Sequence, residues 1–321
     1  MHPRPAPVTF TGTLGSLAAL VALAACGGDH AAGTRAANPP ASTPPAASAS
    51  PADSASGARA ITVSGLASPE TALWDSVADV YLVSNVNGGA TDEDHNGFIA
   101  RVSPDGRVMQ RKWIDGAQAG VQLNGPKGML FEGDTLFVAD VGGVRVFDRR
   151  SGRQLGSIAI DSRSLNDLAL GPDGTLYVSD LGPGKGGAGV IWRVSGRTAT
   201  PLVRGSDLDQ PDGILYTQGK LLVAPFGGGA ELYYVSLTGQ RTPGPRVPGG
   251  TMDGLETLPD SSIAVTSWDA KTVYRLDAAG NATPLFTGLE SPAQIGLDRK
   301  RDRLLVPLFN ANRLVIEPLS P

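Results

Sequence analysis

Pro211-Asp212-Gly213-Ile214-Leu215, followed after five residues by Leu221-Leu222-Val223-Ala224-Pro225, is the pattern on which this chain is built. A polar residue opens a short apolar run, a turn intervenes, and a second apolar run follows. Runs this short, bounded by Gly, Pro, Asn and Asp, read as β-strands and not as helices. Toward the C-terminus the pattern returns as Met252-Asp253-Gly254-Leu255 with Ile263-Ala264-Val265-Thr266-Ser267. It returns again as Ala293-Gln294-Ile295-Gly296-Leu297 with Leu304-Leu305-Val306-Pro307-Leu308. Toward the N-terminus it is found as Leu165–Leu170 with Leu176–Asp180, as Pro126–Leu130 with Leu136–Asp140, and as Pro69–Trp74 with Val80–Asn85.

The equivalent first positions are 70, 127, 166, 212, 253 and 294, with spacings of 57, 39, 46, 41 and 41. A four-stranded propeller blade takes ~40–50 residues. The long first spacing reflects one inserted loop, Asn85 to Gly97. Two outer strands complete each copy, such as Phe98–Val102 and Val108–Trp113, or Thr272–Leu276 and Thr283–Phe286. Asp105-Gly106, Asp173-Gly174 and Thr238-Gly239 supply hairpin turns between strands. The last copy runs out after three strands, ending at Arg313–Glu317, and Ala60–Val63 is the strand left to complete it. The expected fold is therefore all-β: a six-bladed β-propeller over residues 61–320, closed by an N-terminal strand in the last blade.

Composition agrees. The chain has 321 residues, 42 Gly, 25 Pro and 18% charged residues, which argues against a helical bundle. Its net charge of −4 argues against a nucleic-acid partner, which calls for a clustered basic excess. One cysteine excludes an internal disulfide and a cysteine-rich zinc site.

Residues 1–25 read as a secretory signal: Arg4 precedes an apolar Leu14–Ala25 run too short to span a bilayer. The run Leu23-Ala24-Ala25-Cys26 before Gly27-Gly28 is similar to a bacterial lipoprotein signal, which makes Cys26 the expected lipidation site. No Asp follows Cys26, which favours the outer membrane and a location in the periplasm or at the cell surface. Of residues 27–60, 26 of 34 are Ala, Gly, Pro or Ser, and none is Leu, Ile, Val, Met or aromatic. Residues 26–60 are thus expected to be a disordered tether, because they cannot bury enough apolar surface to offset ordering.

In a propeller the innermost strands begin at one rim of the central channel. Glu70, Lys127, Asn166, Asp212, Asp253 and Gln294 are therefore expected to converge on one ring. Three carboxylates and two amides are hard oxygen donors suited to Ca²⁺ or Mg²⁺. Crowded carboxylates repel one another, and a divalent cation relieves this. Two other readings stay open: Lys127 neutralises the ring without a metal, or Asp-Gly serves only as turn chemistry. The ends of the second strands, Asn85, Asp140, Asp180, Trp268 and Asn310, form a wider ring, its acids being turn-closing residues before they are ligands. In the insertion, Asp92-Glu93-Asp94-His95-Asn96-Gly97 opens like a Ca²⁺ loop but has Ser103 where the bidentate Glu is needed, so it reads as an acidic turn or a lid over the site.

Other chemistries lack their residues. His2 and His30 fall before the propeller, which leaves His95 alone, so a histidine-pair lactonase and a Ser-His-Asp triad are both excluded. Gly227-Gly228-Gly229 and Gly182–Gly187 lack phosphate-loop spacing. Metal-polarised carbonyl chemistry with carboxylate-activated water is the hydrolytic route left.

The early Pro-Glu-x-x-x-Trp-Asp, the Asn166-Asp167 pair, Pro211-Asp212-Gly213 and Asp253-Gly254 resemble the senescence-marker-protein/gluconolactonase/luciferin-regenerating-enzyme family. The resemblance covers 61–320 and implies a six-bladed propeller, often a divalent-metal-dependent lactonase. It implies metal ligands at Glu70, Asp212 and Asp253, with Asp253 also the base and Asp212 its alternate. It implies a substrate role for Asn166, which is also a candidate fourth ligand. Two positions depart from the family: Asp212 replaces the usual Asn, and Lys127 brings a cation. Lys127 is then expected to orient a substrate oxygen opposite the metal, with Gln294 and Asn85 as further substrate contacts. Ca²⁺ is the first expectation, Mg²⁺, Mn²⁺ and Zn²⁺ the alternatives, and no organic cofactor is expected. The expected partner is a small molecule such as a lactone, the chain is expected to be a monomer, and only the lipid touches membrane. The alternative is a non-catalytic propeller binding a carbohydrate, peptide or protein on its rim.

Overall fold

The computed structural model describes residues 59–184 and 186–320. The signal segment, Cys26 and the tether up to Ala58 lie outside the described residues.

Strand β1 (Ile61–Val63) leads into six four-stranded sheets. Blade 1 is β2 (Pro69–Asp75), β3 (Val80–Asn85), β4 (Phe98–Val102) and β5 (Val108–Asp115). Blade 2 is β6 (Met129–Glu132), β7 (Thr135–Asp140), β8 (Gly143–Asp148) and β9 (Gln154–Ala159). Blade 3 is β10 (Leu165–Leu170), β11 (Leu176–Asp180), β12 (Gly189–Ser195) and β13 (Thr198–Gly205). Blade 4 is β14 (Pro211–Thr217), β15 (Lys220–Pro225), β16 (Glu231–Ser236) and β17 (Arg241–Arg246). Blade 5 is β18 (Met252–Thr257), β19 (Ile263–Ser267), β20 (Thr272–Leu276) and β21 (Ala282–Thr287). Blade 6 is β22 (Gly296–Asp298), β23 (Arg303–Leu308) and β24 (Arg313–Pro318). Apart from one 3₁₀ turn at Ser206–Leu208, the described regular structure is all strand.

Blade 6 is completed by β1, in the order β1-β24-β23-β22. Ile61 faces Ile316 and Val63 faces Leu314 in an antiparallel ladder. The ring closure read from the missing fourth strand is thus present. On the rim where β2 ends, Tyr81 donates to Asp298 at 2.7 Å and Arg301 pairs with Asp79, which ties blade 1 to blade 6 a second time.

The second strand of each blade is continuously apolar because both of its faces are covered. In β3, Tyr81 and Val83 pack toward blade 6, whereas Val80 and Leu82 pack toward blade 2. In β15, Leu221 and Val223 face blade 3, while Leu222 and Ala224 face blade 5. Side chains alternate along a strand, so one run of residues feeds two interfaces. Six core clusters result, one in each gap between neighbouring blades.

Two innermost strands begin later than expected. β6 starts at Met129 instead of Pro126, and β22 starts at Gly296 instead of Ala293. In the other four blades the inner strand starts where expected but carries a bulge at its head, which interrupts the ladder between Pro69 and Ala72, Leu165 and Leu168, Pro211 and Ile214, and Met252 and Leu255. A bulge aims a side chain away from the sheet and leaves a backbone amide without its ladder partner. The hydroxyl on the neighbouring strand takes that amide: Thr71 N–H donates to Ser84, Asp167 N–H to Ser179, and Gly254 N–H to Thr266, at 2.6–2.9 Å. Val-Ser-Asn, Val-Ser-Asp and Val-Thr-Ser in the second strands are the sequence trace of this repair.

Candidate metal centre

The bulges lie at Glu70, Asn166, Asp212 and Asp253, four of the six equivalent residues, and three of these converge. Glu70, Asp212 and Asp253 each bring a carboxylate oxygen to within 4.8 Å of the other two. All three are buried. Among the described residues, no other group of three His, Cys, Asp or Glu side chains converges in this way.

The glycines after Asp212 and Asp253 explain how three blades can approach so closely. A Cβ at Gly213 would strike the Asp253 carbonyl, and one at Gly254 would meet the Ala293 carbonyl at 2.7 Å. Both glycines lie inside strands, β14 and β18. The turn reading of Asp-Gly is therefore corrected: glycine is there because the next inner strand occupies the space of a side chain.

Thr71 donates its hydroxyl to Glu70 at 2.8 Å, and Trp268 Nε1–H donates to Asp253 Oδ2 at 3.0 Å. Asn166 Nδ2–H donates to Asp212 Oδ2 at 3.0 Å. What remains is telling. The second oxygens, Asp212 Oδ1 and Asp253 Oδ1, have no partner, and neither has Asn166 Oδ1, although all three atoms are buried. Buried acceptors without donors are rare and costly.

Burial drives the titration. Desolvation pushes the Glu70 carboxyl up to about 7, against the pull of Thr71 and Lys127. It holds Asp212 and Asp253 well above the ordinary carboxylate range, and mutual repulsion with Glu70 adds to this. Asp167, beside Asn166, is pushed up to about 8 by burial. Its Oδ2 accepts the Ile214 amide at 3.0 Å, which links blade 3 to blade 4.

Lys127 is buried, yet makes no ion pair with the three carboxylates. Its ammonium donates to the Ala90 carbonyl of the insertion at 2.9 Å. Burial lowers its pKa, while Glu70, Asp140 and Asp212 favour its charge.

Two expected substrate contacts, Gln294 and Asn85, have backbone partners. Gln294 accepts Leu255 N–H at 3.1 Å and donates to Leu255 carbonyl at 3.2 Å, splicing blade 6 to blade 5. Asn85 is fully buried, accepting Ala67 N–H and donating to the Val83 carbonyl. Each amide thus has one backbone bond at its oxygen and one at its nitrogen. In the wider ring, Asp140 takes the Asn124 and Gly125 amides and Arg145, and Asp180 takes Ser162, Gly182 and Trp192. Asp180 closes its own turn at Gly182, whereas Asp140 pins the loop before β6. Asn310 donates to Ser291.

The insertion's acids do not form a cation loop. Asp94 is held by Asn96, and Glu93 pairs with Arg163 on the surface. The insertion meets Lys127 through the Ala90 carbonyl. A cavity of about 640 Å³ opens over blade 3, between Arg163, Asp180, Trp192 and Arg204. None of the three converging carboxylates lines it, so it is separate from the centre.

Sequence reasoning passes over Asp167 and the partner of Asp253. Trp268 is visible in the sequence only as a rim residue, and its N–H bond needs the fold.

The fold and the centre define a class: a six-bladed propeller carrying a buried triad of carboxylates at one end of its channel. No protein-family model matches the chain, and no curated protein matches its sequence. Solved structures do match in fold. A gluconolactonase from Xanthomonas campestris superposes with TM-score 0.62 at 18% identity, over 82% of this chain and 90% of that one. A calcium-binding protein, regucalcin, from Agrobacterium tumefaciens gives 0.59 at 17%, over 79% and 93%. A catalytically inactive histidine-to-alanine variant of virginiamycin B lyase from Staphylococcus aureus, with quinupristin, gives 0.53 at 13%, over 80% and 98%. At these identities the likeness is one of fold, and it includes the family that the motifs resemble.

Proposed function

We propose that this chain is a divalent-metal-dependent hydrolase of lactones or related esters, with Glu70, Asp212 and Asp253 as the metal ligands. The observation that carries this reading is the set of orphaned oxygens: Asp212 Oδ1, Asp253 Oδ1 and Asn166 Oδ1 are buried, unpartnered and next to a third carboxylate. A hard cation satisfies such a donor set, and Ca²⁺ fits its all-oxygen chemistry and charge. The fold likeness to a gluconolactonase and to a calcium-binding regucalcin supports the same choice. The lyase is the weaker analogue, because its inactive form lacks a histidine and the described residues here hold only His95, on the insertion.

When bound, the cation polarises the ester carbonyl and makes nearby water more acidic. The residues supply the rest. Asn166 is held by Asp212 so that its Oδ1 completes the donor set. Trp268 fixes the Asp253 carboxylate through Oδ2, and with Oδ1 facing the cation the remaining lone pair of Oδ2 would take a proton from the attacking water. Water oxygen forms the new bond to the carbonyl carbon, the ring C–O bond breaks, and the Asp253 proton passes to the departing alkoxide. Lys127 uses one hydrogen on Ala90, so two remain for the oxyanion.

Removal of metal has a defined pH signature. The folded, metal-free chain keeps Glu70 protonated up to about 7, whereas the unfolded chain releases that proton near 4.5. More protons are then bound folded than unfolded, so this contribution to stability is full below 4.5 and is lost as pH rises toward 7. Asp212 and Asp253 act with the same sign. Ca²⁺ at ~100 times its Kd stabilises by ~2.7 kcal/mol, equivalent to a rise of roughly 5–10 °C in Tm. That rise is expected at about pH 8 and should shrink at about pH 5, where protons compete for the ligands. Thermal melts with Ca²⁺ and with chelator at both pH values check it, and a chelator-insensitive melt would sink the metal assignment.

The location is part of the same proposal: the propeller is tethered outside the cytoplasm through lipidated Cys26. Cys26→Ala is expected to move the protein from membrane to soluble fractions, or to block processing. Normal maturation with unchanged membrane fractionation would reject the anchor.

A further inference from the structure

The residue that follows the second strand of each blade is apolar in all six: Val86, Val141, Leu181, Phe226, Trp268 and Phe309. These positions surround the mouth above the carboxylates, and the two halves of the mouth differ. Over blades 1 and 2 the insertion closes it. Val86 and Val141 are buried, and a Cβ added at Gly125 would meet the Ala90 carbonyl and both valines at 3.4–3.7 Å.

Over blades 4, 5 and 6 aromatic rings stand where the insertion lies on the other side. Phe226 and Trp268 meet edge to face with centroids 5.1 Å apart, and Trp268 and Phe309 lie 5.7 Å apart at 40°. All three residues are half-buried, so part of each is presented to solvent. The three glycines after Phe226 raise no side chain beside its ring. Trp268 joins this arc to the chemistry, since its N–H holds Asp253.

Each polar group flanking the arc makes a hydrogen bond within the protein. Asn310 donates to Ser291, Asp269 accepts from Thr251, and Asp209 accepts the Gly229 amide. A polyhydroxylated ring laid on the three aromatic faces would lose water from the hydroxyls that meet ring carbon, which costs binding. An apolar ring loses nothing and gains aromatic contact.

We propose that the centre's substrates are lactones or esters with an apolar aryl or alkyl portion, which packs on Phe226, Trp268 and Phe309 while the carbonyl reaches Asp253. This rests on the hydrolase reading above and sets its substrate class against sugar lactones. Phe226 and Phe309 determine specificity, whereas Trp268 both packs on the substrate and positions Asp253.

The test compares dihydrocoumarin with glucono-δ-lactone, using the Ca²⁺-loaded full-length protein. Wild type is expected to favour dihydrocoumarin in kcat/KM by about tenfold or more. Phe309→Ala and Phe226→Ala should each lower that value by about tenfold, chiefly through KM, and change glucono-δ-lactone by less than about twofold. Phe309→Leu, which keeps apolar volume, serves if an alanine variant fails to fold and should show a smaller loss in the same direction. A preference for glucono-δ-lactone, or equal losses on both substrates, would overturn the assignment. If the loaded protein hydrolyses neither lactone, the hydrolase reading fails by itself. Calorimetric titration with intact dihydrocoumarin then decides the arc: binding that Phe309→Ala abolishes upholds an apolar ligand site, and no binding overturns it.

Discussion

Asp253→Asn is expected to weaken Ca²⁺ binding by about a hundredfold or more, and to lower lactone hydrolysis by roughly 10²–10⁴-fold. The substitution is nearly isosteric, and the bond from Trp268 survives it, because an amide oxygen accepts the same indole N–H as the carboxylate does. What changes is charge. One of three converging carboxylates disappears, and with it both a ligand and the proton acceptor. The metal-free variant should be more stable than metal-free wild type at neutral pH, since a buried, repelled carboxyl has been removed. Calorimetry with Ca²⁺, a lactone assay and a chelated melt read these three effects independently. Unaltered Ca²⁺ binding and hydrolysis would remove Asp253 from the centre. A contrasting pattern identifies a structural plug: chelator changes neither melting nor activity, and Lys127→Met destabilises the fold strongly.

Removing β1 should be the most damaging change outside the centre. A chain lacking residues 27–57 is expected to melt like the full chain, whereas one lacking everything from 27 through Val63 should melt roughly 10 °C lower or more. Val63 is buried between blades 1 and 6 with Leu314 and Ile316, and Ile61 packs against the same cluster. Loss of these contacts and of three paired residues costs about 3–5 kcal/mol. Deletion also exposes the edge of β24, which invites pairing with another chain. Tyr81–Asp298 and Arg301–Asp79 still link the two blades, so the ring should be weakened and not abolished. Differential scanning calorimetry on the two truncations makes the comparison, and equal melting temperatures would refute β1 as the closure.

The sequence alone determined the repeat and, through it, the architecture. Six two-strand signatures at blade spacing, with a fourth strand missing at one end and supplied at the other, allow one ring. It also determined which residue types face the channel, because register along equivalent strands is a local property. Glu70, Asp212 and Asp253 were legible for this reason, and so was the role of Asp180 in closing its turn.

Which of those residues are free to act was decided only in three dimensions. Gln294 and Asn85 were expected to contact substrate, and the fold gives their amides backbone partners, Leu255 of blade 5 for Gln294 and Ala67 with Val83 for Asn85. That the Lys127 ammonium bonds the insertion's Ala90 carbonyl, and not a carboxylate, is likewise set by the fold. Gly213 and Gly254 looked like turn residues, whereas the closeness of neighbouring inner strands is what requires them. The aromatic arc joins residues 226, 268 and 309, and its bond to Asp253 exists only because blade 5 turns its indole inward. Strand period and turn chemistry are written locally, so a sequence can specify them. Whether a buried polar atom is satisfied depends on what another blade brings beside it, and only the closed ring decides that.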